Sequence, residues 1–180
     1  RQRQMCIRDS DNISRIHKPA LNRIMITASR AGNAGLIWWA ICLPFLINPS
    51  WRATAANFIF GLAWAHLMGE IIIKHIVKRV RPCHSLDDDE QLIDRPRFYS
   101  FPSGHTTASF AMVGVALLRC RLVTFMPILA LALLIAFSRI YLRVHYLTDV
   151  IAGMILGLTC GICSVLIFNT VVPIWFPGVL

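Results

Sequence analysis

The sequence predicts an all-α integral membrane helical bundle, with about five spanning helices and an N-terminal amphipathic helix lying in the interface. Three observations carry that expectation. The 180 residues are 56% hydrophobic and only 15% charged, with a mean hydropathy of +0.60, too apolar for a soluble domain of this length. Apolar runs near the ~20 residues of a membrane span recur along the chain. Small residues such as Ala111, Gly114, Gly153, Gly157 and Gly161 mark helices that approach one another closely. The formal charge of +9 does not turn the reading toward nucleic acid, because a DNA-binding chain of this size would not also carry several runs of near-membrane length. The six cysteines fall mostly inside apolar runs, so neither a disulfide framework nor a zinc site is indicated. Cys160 and Cys163 read as small hydrophobes of a helix.

Taken in order, residues 1–10 have no periodicity and read as a non-native or disordered start, which leaves 11–180 as a single membrane-embedded domain. Over 12–31, Ile13, Ile16, Leu21, Ile24 and Met25 are spaced among Arg15, Lys18, Arg23 and Arg30, a basic amphipathic helix interrupted at Pro19. Apolar segments follow at 33–48, 54–77, 106–119, 122–142 and 147–170. Trp38, Trp39, Trp51 and Trp175 near segment ends suit an aromatic belt, whereas Trp64 in mid-segment suits packing.

Five helices joined end to end place the connections 49–53 and 119–122 on one side, and the N-terminal helix, 78–105 and 142–147 on the other. The second side collects Lys74, Arg81, Ser103, His105, Arg139, His145 and Asp149, and ionisable groups at membrane depth are costly enough to favour a functional reading. If the last helix begins near His145, Asp149 four residues on shares its face. A carboxylate there accepts the ring N–H and leaves the other nitrogen usable as base or nucleophile. The plainer alternative is a histidine at a helix start with a capping Asp.

In "PSGHTT" the free N–H groups after Gly104 form an anion site at a helix start. Gly104 permits close backbone approach, Ser103 adds a hydroxyl, and His105 stands ready to give or take a proton. Its plainer alternative is a Ser cap after a Pro turn. In "KHIVKRVRP", Lys74 and Arg81 lie seven residues apart, two helical turns, on one face, where the Arg fork can grip two phosphate oxygens. Basic residues at a membrane helix end commonly just snorkel, and Lys78 and Arg79 are read that way. Each cluster has a plain reading alone. Together they supply a cationic phosphate cradle with a nucleophile and a proton donor, which points to phosphoryl transfer.

Written out, the motifs are Lys74, six residues, Arg81-Pro82; Pro102-Ser103-Gly104-His105; and Ser138-Arg139, five residues, His145, three residues, Asp149. This resembles the three-part signature of the type 2 phosphatidic acid phosphatase superfamily, membrane lipid phosphatases related to vanadium haloperoxidases. The motifs run from 74 to 149, and the helix pattern extends the resemblance over 12–170. The resemblance implies that His145 attacks phosphorus to form a phosphohistidine, that Asp149 orients it, and that His105 protonates the leaving oxygen and then activates water. Lys74, Arg81, Ser103, Gly104 and Arg139 would hold the phosphoryl oxygens. No metal or other cofactor enters that scheme, whose partners are a lipid phosphate substrate and the bilayer. Members often have six spans, and helix 12–31 stands in for the first, as in short bacterial members.

The acidic run Asp87, Asp88, Asp89 and Glu90 reads as a solvated loop, because adjacent carboxylates in an irregular segment preset no cage. Two other readings compete: a non-catalytic membrane protein that keeps a phosphate pocket, and a vanadate-dependent haloperoxidase. Intact His105, His145 and Asp149 argue against the first, and the membrane bundle against the second. Lys and Arg number fifteen on the site's side against three on the other, which by the positive-inside rule favours the cytoplasm. The resemblance favours the periplasmic or outer face of a bacterial inner membrane, and that face is the expectation here.

Overall fold

The computed structural model describes residues 18–85, 91–94, 96 and 99–175, and every regular element among them is helical. The helices are α1 (Pro19–Ala31), α2 (Leu36–Ile47), α3 (Arg52–His66), α4 (Lys74–Val77), α5 (Gly104–Arg119), α6 (Leu122–Tyr141) and α7 (Leu147–Trp175). A π-helical stretch, Leu67–Ile73, joins α3 to α4. The suspect residues 1–10 and the acidic run 87–90 lie outside the described residues.

Of the expected helix 12–31, residues 12–17 lie outside the described residues, and α1 begins at Pro19. Lys18 is extended and Pro19 opens the helix, where its missing N–H costs nothing. Left-handed Ala34 and Gly35 then break the path, so Pro19–Ala31 and Asn33–Ile47 meet at 60°. Three helices are long and apolar enough to cross a membrane, Pro49–Val77, Leu122–Tyr141 and Leu147–Val171, and the bent pair makes a fourth only if it is one broken span. The difference from the expected five lies in α2 and α5, which are short. The 16 residues of α5 reach about 24 Å against ~30 Å of hydrocarbon.

Short as it is, α5 is the centre of this membrane bundle, with Thr106, Thr107 and Ser109 to Ala116 all buried. The small residues of the sequence explain how. A Cβ on Gly157 would overlap the Thr107 carbonyl oxygen, one on Gly161 the Ala111 carbonyl oxygen, and one on Gly114 would lie 2.7 Å from the Leu158 carbonyl oxygen. The α5 and α7 backbones therefore touch, as small-residue packing in membranes allows. Gly157→Ala should lower the melting temperature in detergent, because the contact is backbone and cannot rotate away; overpacking of this kind costs about 1–3 kcal/mol. Gly61→Ala, whose new Cβ meets the Ser164 and Val115 side chains at 3.2 and 3.3 Å rather than a backbone oxygen, is the comparator and should lose less.

Polar contacts help tie α1 and α2 to the bundle. Tyr141 donates to Asn22 Oδ1 at 2.6 Å, and Trp38 Nε1 donates to Ser109 Oγ at 3.1 Å. Trp38 is thus wholly buried and no part of an aromatic belt, while Trp39 and Trp51 are exposed.

Candidate active site

Lys74 and Arg81 come together, but not along a helix face. Lys78 adopts a left-handed conformation (φ 49°) that ends α4, and the chain leaves the helical path before Arg81. The irregular segment is tied down by Ser100, whose N–H donates to the Arg79 carbonyl oxygen at 2.8 Å. Arg81 Nη1 then donates to the Val144 carbonyl oxygen at 3.1 Å and to His145 Nε2 at 2.9 Å. Lys74 Nζ is held by both oxygens of Glu70, each at 2.7 Å.

His145 precedes α7 in a turn in which Arg143 takes φ 56° and the Val144 and His145 N–H groups both donate to the Arg139 carbonyl oxygen. Asp149, fully buried, accepts from the Tyr146 N–H at 3.0 Å through Oδ2, and the same oxygen faces His145 Nδ1 at 3.6 Å. The capping role is the one made here, and the carboxylate stands behind the imidazole without a hydrogen bond to it. His145 Nδ1 has no hydrogen-bond partner among the described residues. Burial, reinforced by Arg81, Arg139 and Lys74, holds the His145 imidazole well below its ordinary pKa, so at neutral pH it is uncharged with Nε2 carrying a lone pair. Burial likewise lowers the Arg81 pKa.

At the start of α5, His105 Nε2 lies 2.9 Å from Asn33 Oδ1, and its ring packs where a Cβ on Gly32 would sit, 2.8 Å from Cδ2. Gly104 leaves room for a side chain: a Cβ there would overlap the Glu70 carboxylate. Ser103 is fully buried, its hydroxyl accepting from Thr106 at 2.9 Å and its N–H donating to the Asp149 carbonyl oxygen at 3.1 Å. Arg139 Nη1 donates to Ser29 Oγ on α1, while its Nε is buried without a partner among the described residues.

Lys74, Arg81, Gly104, His105, Arg139 and His145 all line one cavity of about 1230 Å³. Ser103 and Asp149 do not reach its wall and act, if at all, through their neighbours. The lining also includes the apolar side chains of Trp39, Leu62, Ala63 and Ala108. Three cations and two imidazoles lining one space suit an anion with several acceptor oxygens. Among the described residues no group of three or more His, Cys, Asp or Glu gathers as metal ligands would.

Residues 54–173 match the family model of the PAP2 superfamily. The chain belongs to the PAP2 superfamily. It is 31% identical to an undecaprenyl-diphosphatase of Sulfolobus acidocaldarius, over 83% of this chain and 72% of that protein. Against phosphatidylglycerophosphatase B of Bacillus subtilis it is 29% identical, over 79% and 73% respectively. The crystal structure of Aquifex aeolicus LpxE superposes with a TM-score of 0.74 at 26% identity, covering 86% of this chain and 91% of that one. As a PAP2 protein the chain is a membrane lipid phosphatase, of a family whose chemistry passes through a phosphohistidine.

Three residues of this PAP2 site were not legible in the sequence. Asn33 sits in a kink with no motif around it, and Glu70 had no partner visible beyond the i, i+4 spacing to Lys74. Arg79 was read as a snorkelling cation, and the structure corrects that: its Nη1 pairs with Asp149 Oδ1 at 2.7 Å. The i, i+4 spacing of Glu70 and Lys74 is the one signal that could have been used.

Proposed function

We propose that this enzyme removes the terminal phosphate of a membrane lipid phosphate or diphosphate, with His145 as nucleophile, Asp149 orienting it, and His105 as proton donor and then base. Lys74, Arg81, Arg139 and the N–H groups opened by Ser103 and Gly104 hold the phosphoryl oxygens. One observation carries the reading most: His145, His105 and three cations line one cavity whose lining also includes apolar side chains. A phosphate on a hydrocarbon tail matches both kinds of lining.

The neutral His145 Nε2 forms a bond to phosphorus as the bond to the lipid oxygen breaks, and protonated His105 gives that oxygen its proton. Water then bonds to phosphorus while His105 takes its proton, the P–N bond breaks, and inorganic phosphate leaves. Two internal contacts stand in for substrate in the resting site: Arg81 on Nε2, and the Glu70 carboxylate on Lys74. An incoming phosphate exchanges with both, so the nucleophile's lone pair is freed as the substrate binds.

The names of the relatives support a lipid anchor but differ in head group, which leaves phosphatidic acid, phosphatidylglycerol phosphate and undecaprenyl diphosphate as the substrates to compare. Residues 11–180 are taken as one membrane-embedded phosphatase domain with about five spans, α5 counted because α3, α6 and α7 enclose it. Exposed Lys18, Arg23 and Arg30 on α1, which also carries Ser29 to the site, support an interfacial helix at head-group level. The site is assigned to the outer, periplasmic face of a bacterial inner membrane.

Detergent-purified protein, given each of the three lipids with EDTA present, should release inorganic phosphate at an unchanged rate and be inhibited by vanadate, a five-coordinate mimic bonded to His145. If EDTA suppresses release, Mg²⁺ restores it, and changing Asp87, Asp88, Asp89 and Glu90 to Asn or Gln gives a poorly active, metal-indifferent enzyme, the acidic run recruits a metal and this mechanism is wrong. No release from any lipid would favour the non-catalytic phosphate pocket.

A further inference from the structure

Arg79 lies outside the three motifs and off the cavity wall, yet it grips the residue behind the nucleophile. The chain turns out of α4 at Lys78, and Ser100 pins both the Arg79 and Val80 carbonyl oxygens, at 2.8 and 3.3 Å. From that anchored segment the two arginines reach the start of α7 by different routes. Arg81 goes to the front of His145, at Nε2. Arg79 goes to the back: Nη1 donates to Asp149 Oδ1 and to Thr148 Oγ1, each at 2.7 Å, and its guanidinium carbon lies 4.1 Å from the centroid of the Tyr146 ring. Three side chains at the head of the turn and helix, at 146, 148 and 149, are therefore bound by one residue.

We propose that Arg79 is a positioning residue of the hydrolytic reaction, acting through Asp149 on His145. The proposal rests on the reading of His145 as nucleophile. Asp149 has no exposed surface, and a buried carboxylate without a cation would take up a proton or turn away. Arg79 removes both outcomes by neutralising the carboxylate and fixing Oδ1. With Oδ1 held and Oδ2 bonded to the Tyr146 N–H, Oδ2 keeps its aim at His145 Nδ1, 3.6 Å away. As Nε2 bonds to phosphorus the imidazole becomes cationic, and only then does Oδ2 accept a charged N–H. The stabilisation thus belongs to the transition state and should appear in kcat rather than in KM.

The side chain of Arg79 is 31% exposed, which makes it open to chemical rescue. Arg79→Gln should lower kcat about 10–100-fold, the usual loss when a partner that orients an active residue is removed, with KM and vanadate affinity within about threefold of the parent. Arg79→Lys keeps the charge but loses the planar stack on Tyr146, and should fall between the two. In Arg79→Ala, added ethylguanidinium should restore part of kcat, which a loss of general packing would not allow. Unchanged kcat in Arg79→Gln, or a raised KM with kcat intact, overturns the proposal, as does an Ala variant that folds and is not rescued. If the Gln and Ala variants fail to fold, Arg79→Lys decides by the same split: reduced kcat at parental KM supports the role, parental kcat refutes it. His145→Ala measured alongside separates the two levels, since an active His145→Ala rejects the nucleophile itself, whereas inactive His145→Ala with parental Arg79 variants rejects only the positioning role.

Discussion

His145→Ala abolishes turnover while the bundle stays folded. The substitution removes the atom proposed to bond to phosphorus, so the expected loss is about 10⁴-fold or more in kcat. The structural cost is contained. His145 sits in a turn whose backbone bonds run from the Val144 and His145 N–H groups to Arg139, and these do not involve the imidazole. Arg81 loses one acceptor but keeps the Val144 carbonyl oxygen at 3.1 Å. Gel filtration and thermal melting in detergent check the fold; phosphate release checks the chemistry. A sharper form traps the intermediate. Labelled substrate quenched during turnover should leave an acid-labile, base-stable phosphoenzyme in the parent and none in this variant. Parental phosphate release by His145→Ala would discard the mechanism.

Arg81→Lys should be the most damaging conservative change, costing on the order of 100-fold or more in rate although the charge is kept. Arg81 approaches the site after the left-handed turn at Lys78, and a single Nη1 serves both Val144 and His145 Nε2. Its planar fork presents donors in fixed directions while one nitrogen anchors to backbone, and a lysine ammonium can match neither the fork nor the simultaneous backbone anchor. The loss should fall on kcat and on vanadate affinity together, because vanadate occupies the same cradle. Lys78 is the control for charge alone: it is exposed and touches nothing in the cavity. Since its φ of 49° suits asparagine, Lys78→Asn is the substitution to compare, and it should keep parental activity. A ranking in which Lys78→Asn is crippled and Arg81→Lys is not would mean that the cations of this segment are assigned wrongly.

Much of this enzyme follows from local pattern. Runs of apolar residues and the glycines of α5 and α7 specify membrane helices in close contact, because hydropathy and side-chain size act on neighbours along a helix and need no knowledge of distant chain. The motif residues are also local, so their order and spacing announced a phosphate site with two histidines. What the chain does with those residues required the tertiary structure. A helix face was expected to unite Lys74 and Arg81, yet a left-handed Lys78 does it, a backbone choice that no periodicity reveals. Asn33 meets His105 across 72 residues, and Arg79 meets Asp149 across 70. An arginine that snorkels and an arginine that holds a buried carboxylate are the same letter in the same kind of segment. Only the fold, by bringing a buried negative charge within 2.7 Å of that arginine, distinguishes them, because the free energy of burying Asp149 depends on what faces it and not on what precedes it in the chain.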